Sequence, residues 1–189
     1  MITTTHVILN TALLGSKKHP ERNWPLILGS ILPDTPMFFY FLILVFFKGR
    51  WESMHHSLNE YHFRQLWVDW FHSIPLAVAG VLIFALLKYK PATYFFAAMA
   101  LHDLEDLPLH SAIVHRHFLP LSNYAYHSPV SYWEPQYHAG IVAPLEWLMV
   151  IICSYFLWKR GLNTTAKICL LFVIIFQGTL LLYLAGVHW

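Results

Sequence analysis

Residues 168–187 form a run of twenty with no charged side chain, interrupted only by Gln177 and small residues. At 1.5 Å per residue such a run covers a hydrocarbon core of about 30 Å, and in lipid a lone segment satisfies its own backbone polar groups only as a helix. Further apolar runs occupy 141–158, 67–87, 91–109 and 26–47. The first of these has one acid, Glu146, near its start. The second is entered through Trp67, Asp69, Trp70 and His72 and closed by Lys88 and Lys90. The third turns polar at His102-Asp103-Leu104-Glu105-Asp106, and the last carries Pro33-Asp34-Thr35-Pro36 inside it. The pattern predicts an all-α, polytopic membrane bundle of about five long helices. It forms a single membrane-embedded domain over 1–189, with a short N-terminal helix at 3–14 and a long His-rich loop at 110–138.

Composition closes off the alternatives. Only 12% of residues are charged and 57% are hydrophobic, against about 25% charged in a soluble domain. The 17% aromatic content is the opposite of a disordered chain. A net charge of +2, dispersed along the chain, offers no nucleic-acid footprint. Cys153 and Cys169 both lie in apolar runs, which excludes a disulfide framework or a cysteine zinc site. Trp24, Trp67, Trp70, Trp133, Trp147 and Trp158 flank the run ends as an aromatic belt. Residues 1–15 lack the basic start and unbroken apolar core of a signal peptide.

Lys17, Lys18, Arg22, Lys88, Lys90, Lys159, Arg160 and Lys167 fall on one side of the spans so drawn, and Lys48, Arg50, Arg64 and Arg116 on the other. Eight against four places the N-terminus in the cytoplasm by the positive-inside rule.

Against this apolar background, thirteen histidines are the anomaly. Asp34 sits between two prolines that free backbone carbonyls and break the span, and an acid at membrane depth lines a cavity. His102 and Asp106, four apart, share one helical face about 5–6 Å apart at Cβ, and His110 continues that stripe. Imidazole nitrogen and carboxylate oxygen together suit a divalent metal. Asp103 and Glu105 point elsewhere on the helix. His72 joins from the same end of the neighbouring span, and the loop adds His115-Arg116-His117, His127 and His138, with Glu146 eight residues further on. A lone histidine is more often a surface or satisfied residue than a ligand, and His19, His55, His56, His62 and His188 are read that way.

Thr5-His6, Leu28-Gly29-Ser30-Ile31-Leu32-Pro33-Asp34, Phe71-His72-Ser73 and His102 followed by Asp106 occur in an order that resembles the YdjM-like family of bacterial inner-membrane proteins, presumed metal-dependent hydrolases. The order is more distantly similar to bacterial zinc-dependent phospholipase C, whose zinc cluster includes a His-x3-Asp helix. The stretches 115–118 and 128–135 resemble a group of uncharacterised membrane proteins. The resemblance covers most of 1–138 through short motifs and implies ligand roles for His6, Asp34, His72, His102 and Asp106. There are two departures. Asp69-Trp70-Phe71 precedes His72 where the family has an Arg-Gly-x-Thr type of stretch, which leaves His56 and His62 open as replacements. The phospholipase's His-x3-Glu is missing.

The expectation is therefore a multi-pass protein of the bacterial inner membrane with its site at the outer side, hydrolysing a phosphoester of a lipid-like substrate. One to three zinc ions, or another divalent metal, are held among His6, Asp34, His72, His102, Asp106, His110, His127 and His138. Asp34 is the catalytic base and Arg116 a helper for the substrate's oxyanion. For His6 to join, the N-terminal helix must insert or 6–34 must form a hairpin broken at Pro33; the hairpin is favoured. The rival readings are a non-catalytic membrane protein whose histidines bind haem, ions or protons and, last, a di-iron oxygenase, whose His-x3-His and His-x2-His-His boxes are missing.

Overall fold

The computed structural model describes residues 1–43, 46, 67–111 and 114–188. Among these the chain is helical without strands. In order come α1 (Thr3–Leu14), α2 (Asn23–Ile31), α3 (Thr35–Ile43), the single turn α4 (Asp69–Phe71), α5 (Ile74–Leu86), α6 (Lys90–Asp106), α7 (Ala139–Lys159) and α8 (Thr164–His188). Short 3-10 turns stand at Pro20–Arg22, Leu107–Leu109 and Pro135–Tyr137.

Two of these helices, α7 and the Thr164–Gly186 part of α8, are long and apolar enough to cross a membrane. Among the described residues the expected five are not confirmed, and the reasons are local. The run 26–47 breaks at Pro33 and Asp34 into α2 and α3. The run 67–87 keeps only the thirteen residues of α5, about 20 Å of helix, because Ser73 caps it by accepting a hydrogen bond from the Leu76 N–H at 3.2 Å. Helix α6 starts at Lys90-Pro91 and ends among acids. His55, His56 and His62, with Lys48, Arg50 and Arg64, lie outside the described residues.

Helix α1 is the hub, packed against α2, α6 and α7, while α5 packs on α6 and α8 on α7. Its apolar side joins Ile8 to Val150, Leu157 and Leu170. Its first turn and its end both bind α7. Glu146 accepts hydrogen bonds from the Ile2 N–H at 2.8 Å and the Thr5 hydroxyl at 2.6 Å. Arg160 donates to the carbonyls of Thr11, Ala12 and Gly15, a cation against a helix C-terminus. Trp147 ties α7 to α8 by donating to the Ile174 carbonyl at 2.9 Å.

Polarity is distributed inside out. Thr5, His6, Asn10, Ser30, His72, His102, Asp103, Asp106, Glu146 and Gln177 are buried, whereas Leu82, Ile83, Leu86, Ile141, Leu145, Ile168, Phe172, Ile175 and Leu182 are exposed. A water-soluble bundle is patterned the other way.

Candidate metal centre

The centre is assembled where three helix ends meet. Asp34 stands in the Pro33 break between α2 and α3, His72 closes α4 just before the α5 cap, and His102 and Asp106 face inward from the last turns of α6. One ligand atom from each of these four buried residues lies within 4.8 Å of the others. His102 Nε2 is 3.3 Å from Asp106 Oδ2 and 3.6 Å from Asp34 Oδ1. His72 Nε2 is 3.6 Å from Asp34 Oδ1 and 4.0 Å from Asp106 Oδ2. A tetrahedral ion with bonds of about 2.0–2.1 Å needs ligand-to-ligand edges of about 3.3–3.4 Å; the edges here, 3.3–4.0 Å, are close to that or somewhat wider, so the four residues could hold a cation.

The hydrogen bonds behind these atoms are as informative as the distances. His102 Nδ1 bonds the Ser30 carbonyl at 2.8 Å and His72 Nδ1 bonds the Val68 carbonyl at 2.9 Å. A carbonyl only accepts, so both rings carry a proton on Nδ1 and turn Nε2 toward the centre. Both Nε2 atoms are buried without a hydrogen-bond partner. Metal-bound histidines are oriented in this way by an outer carbonyl or carboxylate. The approach of α2 to α6 that delivers the Ser30 carbonyl depends on Gly29, where an added Cβ would lie 2.1 Å from the Phe95 carbonyl oxygen. Asn10, fully buried in α1, donates to Ser30 Oγ at 2.9 Å and to the Ala98 carbonyl at 3.1 Å, and so pins the same crossing.

Asp106 presents a second side. Its Oδ1 is 3.1 Å from His6 Nε2 and 3.4 Å from His110 Nε2, and it contacts the Met1 nitrogen. The His6 ring stacks on His102 at 3.7 Å. The expected hairpin break at Pro33 is present, and α1 packs inside the bundle; together they bring His6 and Asp34 to one place, with the Thr3 hydroxyl donating to Asp34. Glu105, expected to point elsewhere, instead bonds His6 Nδ1 at 2.6 Å. Asp103 is also turned inward, fully buried, and neither carboxylate oxygen has a hydrogen-bond partner.

Other expected members stand apart. His127 is exposed and bonds the Ser111 carbonyl at 2.8 Å, where it helps staple the loop. His138 is exposed and holds the left-handed conformation, φ 65°, at the start of α7. Glu146 is engaged by α1, and Arg116 donates from Nε to Asp69 at 2.6 Å, so the guanidinium expected to meet substrate is held in an internal ion pair. Loop residues not counted as ligands come closer. His115 stacks on His72 at 4.0 Å and lies 3.6 Å from Asp69, while His117 bonds the His72 carbonyl at 3.1 Å. Burial first, and then the neighbouring His72, hold His117 down at about 3 and His115 well below the usual imidazole range. Both rings therefore stay neutral beside the centre.

Fold and site together define an all-helical protein with, among the described residues, two helices long and apolar enough to cross a membrane and a buried group, Asp34, His72, His102 and Asp106, that could hold a metal ion. Compared with known protein families, curated proteins and solved structures, the chain has no match.

Proposed function

We propose that the chain is a metal-dependent hydrolase embedded in the bacterial inner membrane, acting on a phosphoester of a lipid-like substrate. The observation that carries this reading is the pair of buried imidazole nitrogens, His72 Nε2 and His102 Nε2, without hydrogen-bond partners and facing two carboxylates at ligand spacing. Two nitrogens and two oxygens suit zinc, with manganese or iron as the other choices. A bound cation supplies Lewis acidity toward a phosphoryl oxygen and lowers the pKa of water toward about 7.

The chain's own groups do the rest. His72 and His102 are held in their tautomers by the Val68 and Ser30 carbonyls. Asp34 would hold the cation through Oδ1, while Thr3 donates to its Oδ2, and as a carboxylate beside the site it is the group we assign as proton acceptor. Asp106 turns Oδ2 to this site and Oδ1 toward His6, His110 and the Met1 nitrogen. The inside-out polarity supports immersion in lipid, and a substrate that reaches the site from the bilayer follows from that. The basic ends of α7 and α8, at Lys159 and Lys167, lie at the far end of α7 from Glu146 and the centre, which supports a site at the outer side.

The test is metal analysis of the purified protein together with hydrolysis of a chromogenic phosphodiester and of short-chain phospholipids. The reading predicts stoichiometric metal and metal-dependent turnover in the wild type, both lost in His102→Ala and both kept in His19→Ala. Wild-type protein free of zinc, manganese and iron, and unable to take them up, ends it. Metal without turnover on any phosphoester leaves the ion-binding, non-catalytic reading.

A further inference from the structure

Away from the metal centre, α7 and α8 enclose a groove of about 670 Å³ lined by Ser154, Tyr155, Trp158, Lys159, Lys167 and Leu171 among others. Its walls are apolar, but one end is basic. Lys159 closes α7 and Lys167 opens α8, so both ammonium groups stand at the same end of this helical hairpin. Lys159 Nζ lies 5.5 Å from the Tyr155 ring and Lys167 Nζ 5.0 Å from the Trp158 ring, aromatic contacts that hold a cation at a membrane boundary. No acidic side chain lines the groove. Deeper in, Ser154 is buried and its hydroxyl has no hydrogen-bond partner. It lies five residues from Lys159, about 7.5 Å along the helix, on the side where a glycerolipid's ester carbonyls sit below its phosphate.

We infer that this groove binds one anionic glycerophospholipid, its phosphate between Lys159 and Lys167, its ester region beside Ser154 and an acyl chain along Leu171 and Ile174. Charge complementarity chooses the occupant. Two cations at the mouth of an apolar slot between crossing helices match an anionic headgroup above a hydrocarbon tail. A zwitterionic lipid brings its own cation against the two lysines, and free phosphate leaves the apolar slot empty. The inference requires α7 and α8 to lie in the membrane and requires nothing of the hydrolase reading.

The full chain in detergent micelles tests it, by thermal unfolding and native mass spectrometry with dioleoylphosphatidylglycerol, dioleoylphosphatidylcholine or inorganic phosphate added. Phosphatidylglycerol raises the midpoint and remains bound in the mass spectrum, while phosphatidylcholine and phosphate do neither. Because each lysine near such a headgroup contributes about five-fold, Lys159→Gln with Lys167→Gln weakens phosphatidylglycerol binding about thirty-fold. Lys159→Arg with Lys167→Arg keeps it. Lys88→Gln with Lys90→Gln, at the α5–α6 turn away from the groove, leaves it unchanged. Equal binding of the two lipids by the wild type overturns the inference, and so does an equal response to phosphate alone. An equal loss in both glutamine pairs also overturns it, in favour of diffuse surface charge.

Discussion

Replacing His102 by alanine separates a metal centre from a cluster of internal ion pairs. The substitution removes one of four ligand atoms, Nε2, which lies 3.3 Å from Asp106 and 3.6 Å from Asp34. It also removes the Nδ1 bond to Ser30. Losing an outer partner alone weakens a metal site about 10–100-fold, so losing the ligand it orients weakens it by at least about 100-fold, or 2.7 kcal/mol. At a metal concentration of about 1,000 times the wild-type Kd, binding stabilises the wild type by about 4.1 kcal/mol and the variant by about 1.4 kcal/mol. At about 2–4 °C per kcal/mol for a chain of this size, adding zinc to chelator-treated protein raises the wild-type midpoint by about 8–16 °C. The same addition raises that of the variant by about 3–6 °C. The metal-free variant is itself less stable, because two buried carboxylates have lost a partner, a loss of about 3–5 kcal/mol. Thermal unfolding with and without chelator, followed by metal analysis after gel filtration, reads all of these quantities. A wild type whose midpoint ignores both chelator and zinc, or a variant that responds as the wild type does, refutes the reasoning.

Gly29→Ala places a Cβ 2.1 Å from the Phe95 carbonyl oxygen and 3.1 Å from Ala98 Cβ. It therefore forces α2 off α6, lowers stability by about 1–3 kcal/mol and weakens metal binding about 10–100-fold by displacing the Ser30 carbonyl; zinc titration against a competing chelator measures the second effect. Arg160→Met removes the cation bonded to three α1 carbonyls and lowers stability by about 1.5–3 kcal/mol, while zinc affinity stays at the wild-type value because α1 is disturbed at the end away from His6. His138→Gly relieves the left-handed φ of 65° and raises the unfolding midpoint by the equivalent of about 0.5–1 kcal/mol; its metal content, measured by mass spectrometry, is unchanged.

The parts of the site legible in the sequence are those whose chemistry conflicts with their surroundings. Asp34 stands between prolines in an apolar run, and the His102–Asp106 pair repeats at one helical turn; both conflicts lead to the cluster that the fold assembles. His6 can be joined to it from the sequence only by inserting the N-terminal helix or by a hairpin broken at Pro33, because spacing says nothing of which helix packs on which. Backbone partners are invisible in principle. The Ser30 and Val68 carbonyls that fix the imidazole tautomers carry no residue signature. Glu105 is expected to point away from the His102–Asp106 face, yet α1 packs against α6 and His6 bonds it. His127 and His138 share the loop's histidine richness with His115 and His117, but only the latter pair is drawn to His72. Apolarity likewise predicts five crossing helices where the described residues show two long enough, since helix length is ended by Pro33, by the Ser73 cap and by the acids closing α6.

The central claim is that His72, His102, Asp34 and Asp106 converge to surround a cation. Diffraction from crystals grown with zinc, collected on both sides of the zinc absorption edge, tests it directly. An anomalous peak about 2.0–2.2 Å from both Nε2 atoms and from an oxygen of each carboxylate is predicted. An empty difference map, with the two imidazoles hydrogen-bonded straight to Asp34 and Asp106, would contradict it.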